Sequence, residues 1–138
     1  MITSRSNAGV KYVRRLLSER RFRHEEGAFV VEGTRWLREL AAAQVAPRAL
    51  YATPAWAAGD EEQALLAALG IEPALVDEPV MKAMSDTETA PGVLAVLPLA
   101  PRPLPAAPTL LVVLDAINNP GNLGTILRTA AAAGADGV

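Results

Sequence analysis

The residues best suited to chemistry lie in DAINNPGNLGTILRTAAAAG, which runs from Asp115 to Gly134. Asn119 is a favourable helix N-cap and Pro120 suits the first helical position, so this spacing predicts a loop that opens into a helix. Asn122 is the alternative cap if the helix begins later. The stretch therefore predicts a strand end, a tight loop and a helix N-terminus in succession.

One face of the predicted helix is almost bare. At about 100° per residue it carries small and polar residues, namely Gly121, Gly124, Thr125 and Arg128. A helical glycine costs up to ~1 kcal/mol relative to alanine, so two of them indicate that a sugar-phosphate backbone or a neighbouring helix approaches closely. The guanidinium of Arg128 is expected to reach back along this bare face to the helix N-terminus, a favourable phosphate site, where the Asn122 side chain adds an amide. A capping asparagine, packing glycines and a solvated arginine remain the alternative.

Several kinds of active site are excluded by composition. The loop lacks the Gly-Lys-Ser/Thr end of a Walker A motif, and GNLG does not have the glycine spacing of a dinucleotide fingerprint. The chain has no cysteine and one histidine, His24, which removes most zinc sites and Ser-His-Asp schemes. The sequence shows no pair of carboxylates suited to general acid–base catalysis. We therefore expect no metal.

Basic residues concentrate in the N-terminal third of the chain. Residues 1–48 hold ten of the 13 Lys and Arg but only five of the 15 Asp and Glu, which points to a polyanionic partner. A helix is predicted from Asn7 to about Arg23, because apolar residues recur along it at helical spacing. The candidate RNA-binding residues on and after it are Lys11, Arg14, Arg15, Arg21, Arg23 and Arg35. A solvated helix face is the alternative to phosphate contact.

Strands and helices alternate up to residue 97, which predicts an α/β layer fold. After GAFVVEG, a buried strand, Thr34 is predicted to cap a helix. The remaining elements are strands near residues 49–53, 74–76 and 92–97 and helices at Asp60–Leu69, closed by Gly70, and near Val80–Met84.

A proline-rich segment separates this domain from the next. Residues 98–108 contain five prolines and are predicted to be an extended linker. Leu110–Leu114 is continuously apolar, as is typical of a strand buried on both faces of a parallel sheet. Such a strand needs neighbours, and the sequence supplies only this strand and one helix. Residues 109–138 are therefore expected to be the truncated start of a second domain.

The segment LDAINNPGNLGTILRTAAAAGADGV closely resembles the first signature motif of the SpoU (TrmH-type) branch of the SPOUT methyltransferases. That motif runs roughly L-D-x-hydrophobic-x-D/N-P-x-N-x-G-x-I-x-R-T-A-x-x-x-G, and Asn119 stands where aspartate is common. The segments NAGVKYVRRLL, RRFRHEEGAFVVEGTRWLREL and MSDTETAPGVLAVL resemble, in order, the family's substrate-binding domain. That domain is a small α/β fold shared with some ribosomal proteins.

The resemblance implies an RNA 2′-O-ribose methyltransferase, acting on rRNA or tRNA, that uses S-adenosylmethionine and forms a homodimer through a knotted SPOUT domain. Asn122 and Arg128 match the family's active-site asparagine and arginine. Arginine is normally too basic to serve as a general base, so holding phosphate and polarising the ribose hydroxyl is the easier role for Arg128. The family's cofactor loops belong to two later motifs, so no cofactor site is expected within these 138 residues.

Two further functions stay open at this point. One is a non-catalytic RNA- or ribosome-binding module, and the weaker one is a nucleotide-binding α/β domain. The N-terminus lacks a long apolar segment before a cleavage site, and no stretch of ~20 apolar residues occurs, so a cytoplasmic protein without a membrane span is expected.

Overall fold

A computed structural model describes residues 1–100 and 103–138. The chain divides into two compact units, Met1–Ala100 and Pro101–Val138. That division falls inside the segment predicted as a linker, of which Pro101 and Arg102 lie outside the described residues. The first unit contains α1 (Ala8–Ser18), α2 (Arg20–Glu26), β1 (Ala28–Glu32), α3 (Thr34–Ala42), β2 (Ala49–Ala52), α4 (Pro54–Ala57), α5 (Asp60–Leu69), β3 (Ala74–Leu75), α6 (Glu78–Met84) and β4 (Val93–Pro98). The second contains α7 (Pro120–Ala132).

The first unit is built on a four-stranded sheet with the order β1-β4-β2-β3. β4 lies between β1 and β2 and is antiparallel to both, whereas β2 and β3 are parallel. Five consecutive residues of β4, 93–97, are buried, because helices cover both faces of the sheet. The continuous apolar run GVLAVL is thus explained by burial on both faces.

The two faces of the sheet bury separate groups of side chains. Leu94 and Val96 of β4 pack with residues of α1, α2 and α6 on one face. Val93, Ala95 and Leu97 pack with residues of α3 and α5 on the other. This alternation makes three layers, helix–sheet–helix, and the predicted α/β fold of residues 1–97 is confirmed.

The helix predicted from Asn7 to Arg23 is two helices. Asn7 caps α1, since its Oδ1 accepts from the amide N of Gly9 at 2.9 Å. Glu19 then adopts an extended conformation and α2 begins at Arg20. The change of direction buries Phe22 in the core, and Gly27 ends α2 in the left-handed conformation at φ 54°.

Other differences from the sequence predictions are local. Thr34 is the first residue of α3 and Gly33 is its cap, while the Thr34 Oγ1 accepts a hydrogen bond from the Trp56 indole at 2.8 Å. The short helix α4 follows from Thr53, which caps it, and was not predicted. Gly70 ends α5 at φ 63°, as predicted.

The second unit contains little regular structure besides α7. The strand predicted at Leu110–Leu114 is reduced to one parallel bridge between Leu111 and Gly137, and Val113 is 89% exposed. The described residues of the second unit provide only this bridge, which agrees with the expectation that the sequence lacks the neighbours of a buried parallel strand. Pro98, the first residue of the predicted linker, instead ends β4.

No helix among the described residues has both the length and the apolar character needed to cross a membrane.

Candidate nucleic-acid interface and catalytic helix

A cleft in the first unit collects three of the predicted RNA-binding residues. It has a volume of about 480 Å³ and is lined by Lys11, Arg14, Arg15, Leu17, Ser18, Ala83, Ser85 and Asp86. We call it the basic cleft. One wall is the polar face of α1, and the other is the end of α6 with the loop that follows it. A volume of this size lies within the range of about 300–1,000 Å³ that is typical of small-ligand sites.

The three cations of the basic cleft differ in how they are held. Arg15 donates two hydrogen bonds to the Glu19 carboxylate, at 3.0 and 3.1 Å, and its Cζ lies 3.8 Å from the centre of the Phe22 ring. These hydrogen bonds lower the pKa of Glu19 and raise that of Arg15. No side-chain partner of Lys11 or Arg14 occurs within residues 1–100 and 103–138. Those two exposed cations are the ones available to an anionic ligand.

The opposite wall is tied to the sheet through one carboxylate. Glu32, the last residue of β1, accepts from the Ser85 hydroxyl at 2.5 Å and from the Asp86 amide at 2.9 Å. Ser85 and Thr87 also share a hydrogen bond at 2.7 Å. The loop is therefore fixed at the point where Asp86 borders the cleft, and the wall does not need to be ordered by a ligand.

The other predicted RNA-binding residues lie away from the lining of the basic cleft. Arg21 forms an exposed ion pair with Glu25 at 2.6 Å. Arg23 donates to the carbonyls of Leu16 and Leu17, at 2.7 and 2.9 Å, and so caps the C-terminus of α1. Arg35 is exposed on α3, whose buried face packs on the other side of the sheet.

The second unit carries both predicted catalytic residues on α7. The Asn119 Oδ1 accepts from the Asn122 amide at 3.1 Å, and Pro120 occupies the first turn, so Asn119 is the cap as predicted. The side chains of Asn122 and Arg128 are exposed. The cap uses only the backbone N–H of Asn122 and not its side-chain amide, which lies at the N-terminus of the helix, where a phosphate would be favoured.

The guanidinium of Arg128 folds back along α7. Its Nη2 donates to the Thr125 Oγ1 at 3.2 Å, and a Cβ placed on Gly124 would lie 3.2 Å from its Nη1. Thr125 in turn donates to the Gly121 carbonyl at 3.0 Å. The bare helix face therefore accommodates the guanidinium of the same helix, which was expected to reach back along it.

A separate groove of about 300 Å³ lies beside α7. It is lined by Leu110, Val112, Thr125, Ile126, Thr129, Ala130 and Ala133. S-adenosylmethionine carries a sulfonium, an ammonium, a carboxylate and a polar nucleoside, which need charged and hydrogen-bonding partners. The described lining offers two threonine hydroxyls and no charged side chain. These residues alone do not fit that cofactor.

Sequence reasoning missed the wall of the cleft at Ser85 and Asp86, and missed Glu32, which holds that wall. One signal was present: a glutamate ends the otherwise apolar strand AFVVE. Another was the run SDTET, since Ser, Asp and Thr side chains readily bond to nearby backbone groups. Neither signal says which two segments meet.

The chain matches a known family over most of the first unit. The model of the MRM3-like substrate-binding domain matches residues 7–95. An uncharacterised tRNA/rRNA methyltransferase of Synechocystis is 35% identical over 143 residues, covering 99% of this chain and 51% of the relative. The 23S rRNA (guanosine(2553)-2′-O)-methyltransferase RlmP of Bacillus subtilis is 41% identical over 69 residues, covering 50% of this chain and 27% of the relative.

Solved structures give the same similarity. The rRNA methyltransferase of Sinorhizobium meliloti is 30% identical with a TM-score of 0.74, over 97% of this chain and 51% of that one. Its AdoMet-bound structure is 28% identical with a TM-score of 0.72, over the same shares. The Synechocystis and Sinorhizobium methyltransferases match nearly all of this chain, and the chain spans about half of their length.

Proposed function

Because the chain belongs to the family of MRM3-like substrate-binding domains, we propose that it binds RNA as part of an enzyme that methylates ribose 2′-hydroxyls. In this proposal residues 1–97 are the RNA-binding domain, residues 98–108 the linker and residues 109–138 the start of the SPOUT domain. The methyl donor of the whole enzyme is S-adenosylmethionine, and no residue of this chain is assigned to it. Homodimerisation through the SPOUT domain and a cytoplasmic location remain predictions.

One observation carries the RNA-binding part of the proposal. Lys11 and Arg14 project from α1 into the basic cleft without a carboxylate partner among the described residues, inside the segment that matches the family model. Phosphate neutralisation by such cations releases counterions from RNA. We therefore expect the cleft to prefer a polyanion.

Arg128 is the residue we assign to the reaction itself. Transfer of a methyl group to a ribose hydroxyl requires alignment of that hydroxyl and help in removing its proton. A guanidinium held by Thr125 in the second turn of α7 offers a planar set of donors for a phosphate and for the hydroxyl oxygen. Asn122 adds a neutral amide that orients the same group.

The experiment has two arms. The full 138-residue chain is titrated with a labelled rRNA fragment at increasing salt, and we expect the affinity to fall steeply. Methylation of the same RNA is then measured with a longer protein that contains this chain and has about the length of its relatives. Absence of RNA binding would contradict the proposal. Binding without methylation would favour the non-catalytic RNA-binding module instead.

A further inference from the structure

The basic cleft has two chemically different walls. The wall on α1 includes the exposed cationic residues Lys11 and Arg14, and the wall after α6 includes Ser85 and the exposed acidic residue Asp86. A site for phosphate alone would gain nothing from a carboxylate, because like charges repel. The pair of walls instead matches a ligand with an anionic end and a hydrogen-bond donor at its other end.

We propose that the basic cleft binds one unpaired nucleotide of the RNA, with its phosphate on Lys11 and Arg14 and a hydrogen-bond donor on Asp86. This rests on the proposed RNA-binding function. The ribose 2′-hydroxyl and the N–H groups of the base edge are the two donors that a nucleotide offers. In a duplex the base edge is already paired, so an unpaired nucleotide is the better ligand.

Both walls are held in place before any ligand binds. Arg15 is clamped between Glu19 and the Phe22 ring, which supports α1 beside the cleft. Glu32 binds the Ser85 hydroxyl and the Asp86 amide at the same time. Preorganisation of this kind lowers the entropy lost on binding. Glu32 is therefore a positioning residue, which acts through Asp86 and does not touch the RNA.

The first test asks whether Asp86 accepts a hydrogen bond from the RNA or only lies near it. The full chain is titrated with an unpaired RNA of about ten nucleotides, a length typical of single-strand sites. If Asp86 accepts a hydrogen bond from the nucleotide, Asp86→Ala weakens binding about tenfold. If Asp86 merely lies near the phosphates, removing its charge strengthens binding, and this outcome would overturn the proposal. Glu62→Ala on α5 is the control for the loss of one acidic charge.

The donor is identified by repeating the titration with DNA of the same sequence. If Asp86 binds the 2′-hydroxyl, the wild-type chain prefers RNA and Asp86→Ala removes that preference. If Asp86 binds the base edge, the substitution weakens RNA and DNA binding alike. Equal affinity of the wild-type chain for the unpaired RNA and for the same strand in a duplex would contradict the proposal in either case.

The phosphate end is tested through salt dependence. Lys11→Ala with Arg14→Ala makes the slope of log affinity against log salt shallower by about 0.7 for each cation removed. Arg38→Ala with Lys82→Ala removes the same charge outside the cleft and leaves the slope nearly unchanged. If the two double variants behave alike, the RNA still binds but not in this cleft, so the inference fails while the proposed function stands.

Glu32→Gln tests the positioning role. Glutamine keeps one acceptor oxygen but weakens the hydrogen bonds to Ser85 and Asp86, so the affinity for RNA falls. The salt slope stays the same, because Glu32 contacts no phosphate. Combined with Asp86→Ala it adds little further loss, since both changes remove the same contact. Additive losses in the double variant would show that Glu32 does not act through Asp86.

Discussion

The guanidinium of Arg128 lies along α7 beside Gly124, where an added Cβ would come within 3.2 Å of its Nη1. If this placement serves methyl transfer, Arg128→Ala in the methylating enzyme lowers the single-turnover rate about 10²-fold with RNA saturating. Arg128→Lys rescues poorly, because an ammonium lacks the planar pair of donors. A near-normal rate for Arg128→Ala would leave the arginine as a solvated surface residue. Arg38→Ala, which breaks an exposed ion pair with Glu61, is the control.

Gly124→Ala separates activity from stability at the same site. Alanine stabilises a helix interior by about 0.5–1 kcal/mol relative to glycine, yet its Cβ would lie 3.2 Å from the Arg128 Nη1, so the guanidinium must shift by a few tenths of an ångström. We expect thermal unfolding of the chain to occur at the same or a higher temperature while methylation slows. In the double variant with Arg128→Ala no further slowing occurs, since the two changes remove one interaction. A Gly124→Ala enzyme with the normal rate would contradict this role.

Asp136 makes the second unit sensitive to acid. Its carboxylate accepts from the amides of Leu110 and Thr109 and from the Thr109 hydroxyl, and these hydrogen bonds lower its pKa below the usual 3.8. The stabilisation is present above the unfolded-state pKa and is lost as the pH falls through the lowered folded-state value. Amide NMR signals of Thr109 and Leu110, followed from about pH 6 to about pH 2, should change in that interval. Asp136→Asn should remove the titration, and its persistence would assign it to another group.

At the scale of elements, the break between α1 and α2 depends on Arg23. Its guanidinium satisfies two carbonyls at the end of α1, and the side chain is half-buried. Arg23→Ala should lower the free energy of unfolding by about 1.5–3 kcal/mol in urea denaturation, as expected for hydrogen bonds to a charged group. It should leave the salt dependence of RNA binding unchanged.

Arg21→Ala is the matched control for this element. Arg21 is in the same helix, but its ion pair with Glu25 is exposed, and such pairs contribute about 0–1 kcal/mol. An equal loss of stability in the two variants would mean that Arg23 does not cap α1. A changed salt slope in Arg23→Ala would instead return Arg23 to the RNA-binding set.

At the scale of the whole molecule, binding of S-adenosylmethionine by the chain can be measured directly. The groove beside α7 is lined almost entirely by apolar side chains, so the 138-residue chain should show no binding of S-adenosylmethionine in calorimetric titration. A clear micromolar isotherm would show that the chain has a cofactor site that its described residues do not reveal. RNA titrated under the same conditions serves as the positive control.

Much of the molecule follows from local patterns. The cap at Asn119 and the helix Asp60–Leu69 with its closing Gly70 were predicted correctly, because each depends on neighbouring residues. The central strand near residues 92–97 was also predicted correctly, since the chain supplies β1 and β2 to pair with it. The strand at Leu110–Leu114 is reduced to one bridge, because a parallel strand depends on partners elsewhere in the chain. The sequence of a segment predicts whether it can form a strand, and the structure shows whether another strand is present to pair with it.

The sequence by itself determined the α/β class of residues 1–97, the excess of cations near the N-terminus and the loop–helix unit with Asn122 and Arg128. Only the tertiary structure decided which cations face a shared cleft. Of the cations that line the cleft, Arg15 is held by Glu19, which leaves Lys11 and Arg14 for a ligand, while Arg23 donates to the end of α1 instead. The wall that contains Asp86 depends on a contact between Glu32 and Ser85, which are 53 residues apart in the sequence. Charge and periodicity are properties of a segment, whereas a binding site depends on contacts between distant segments.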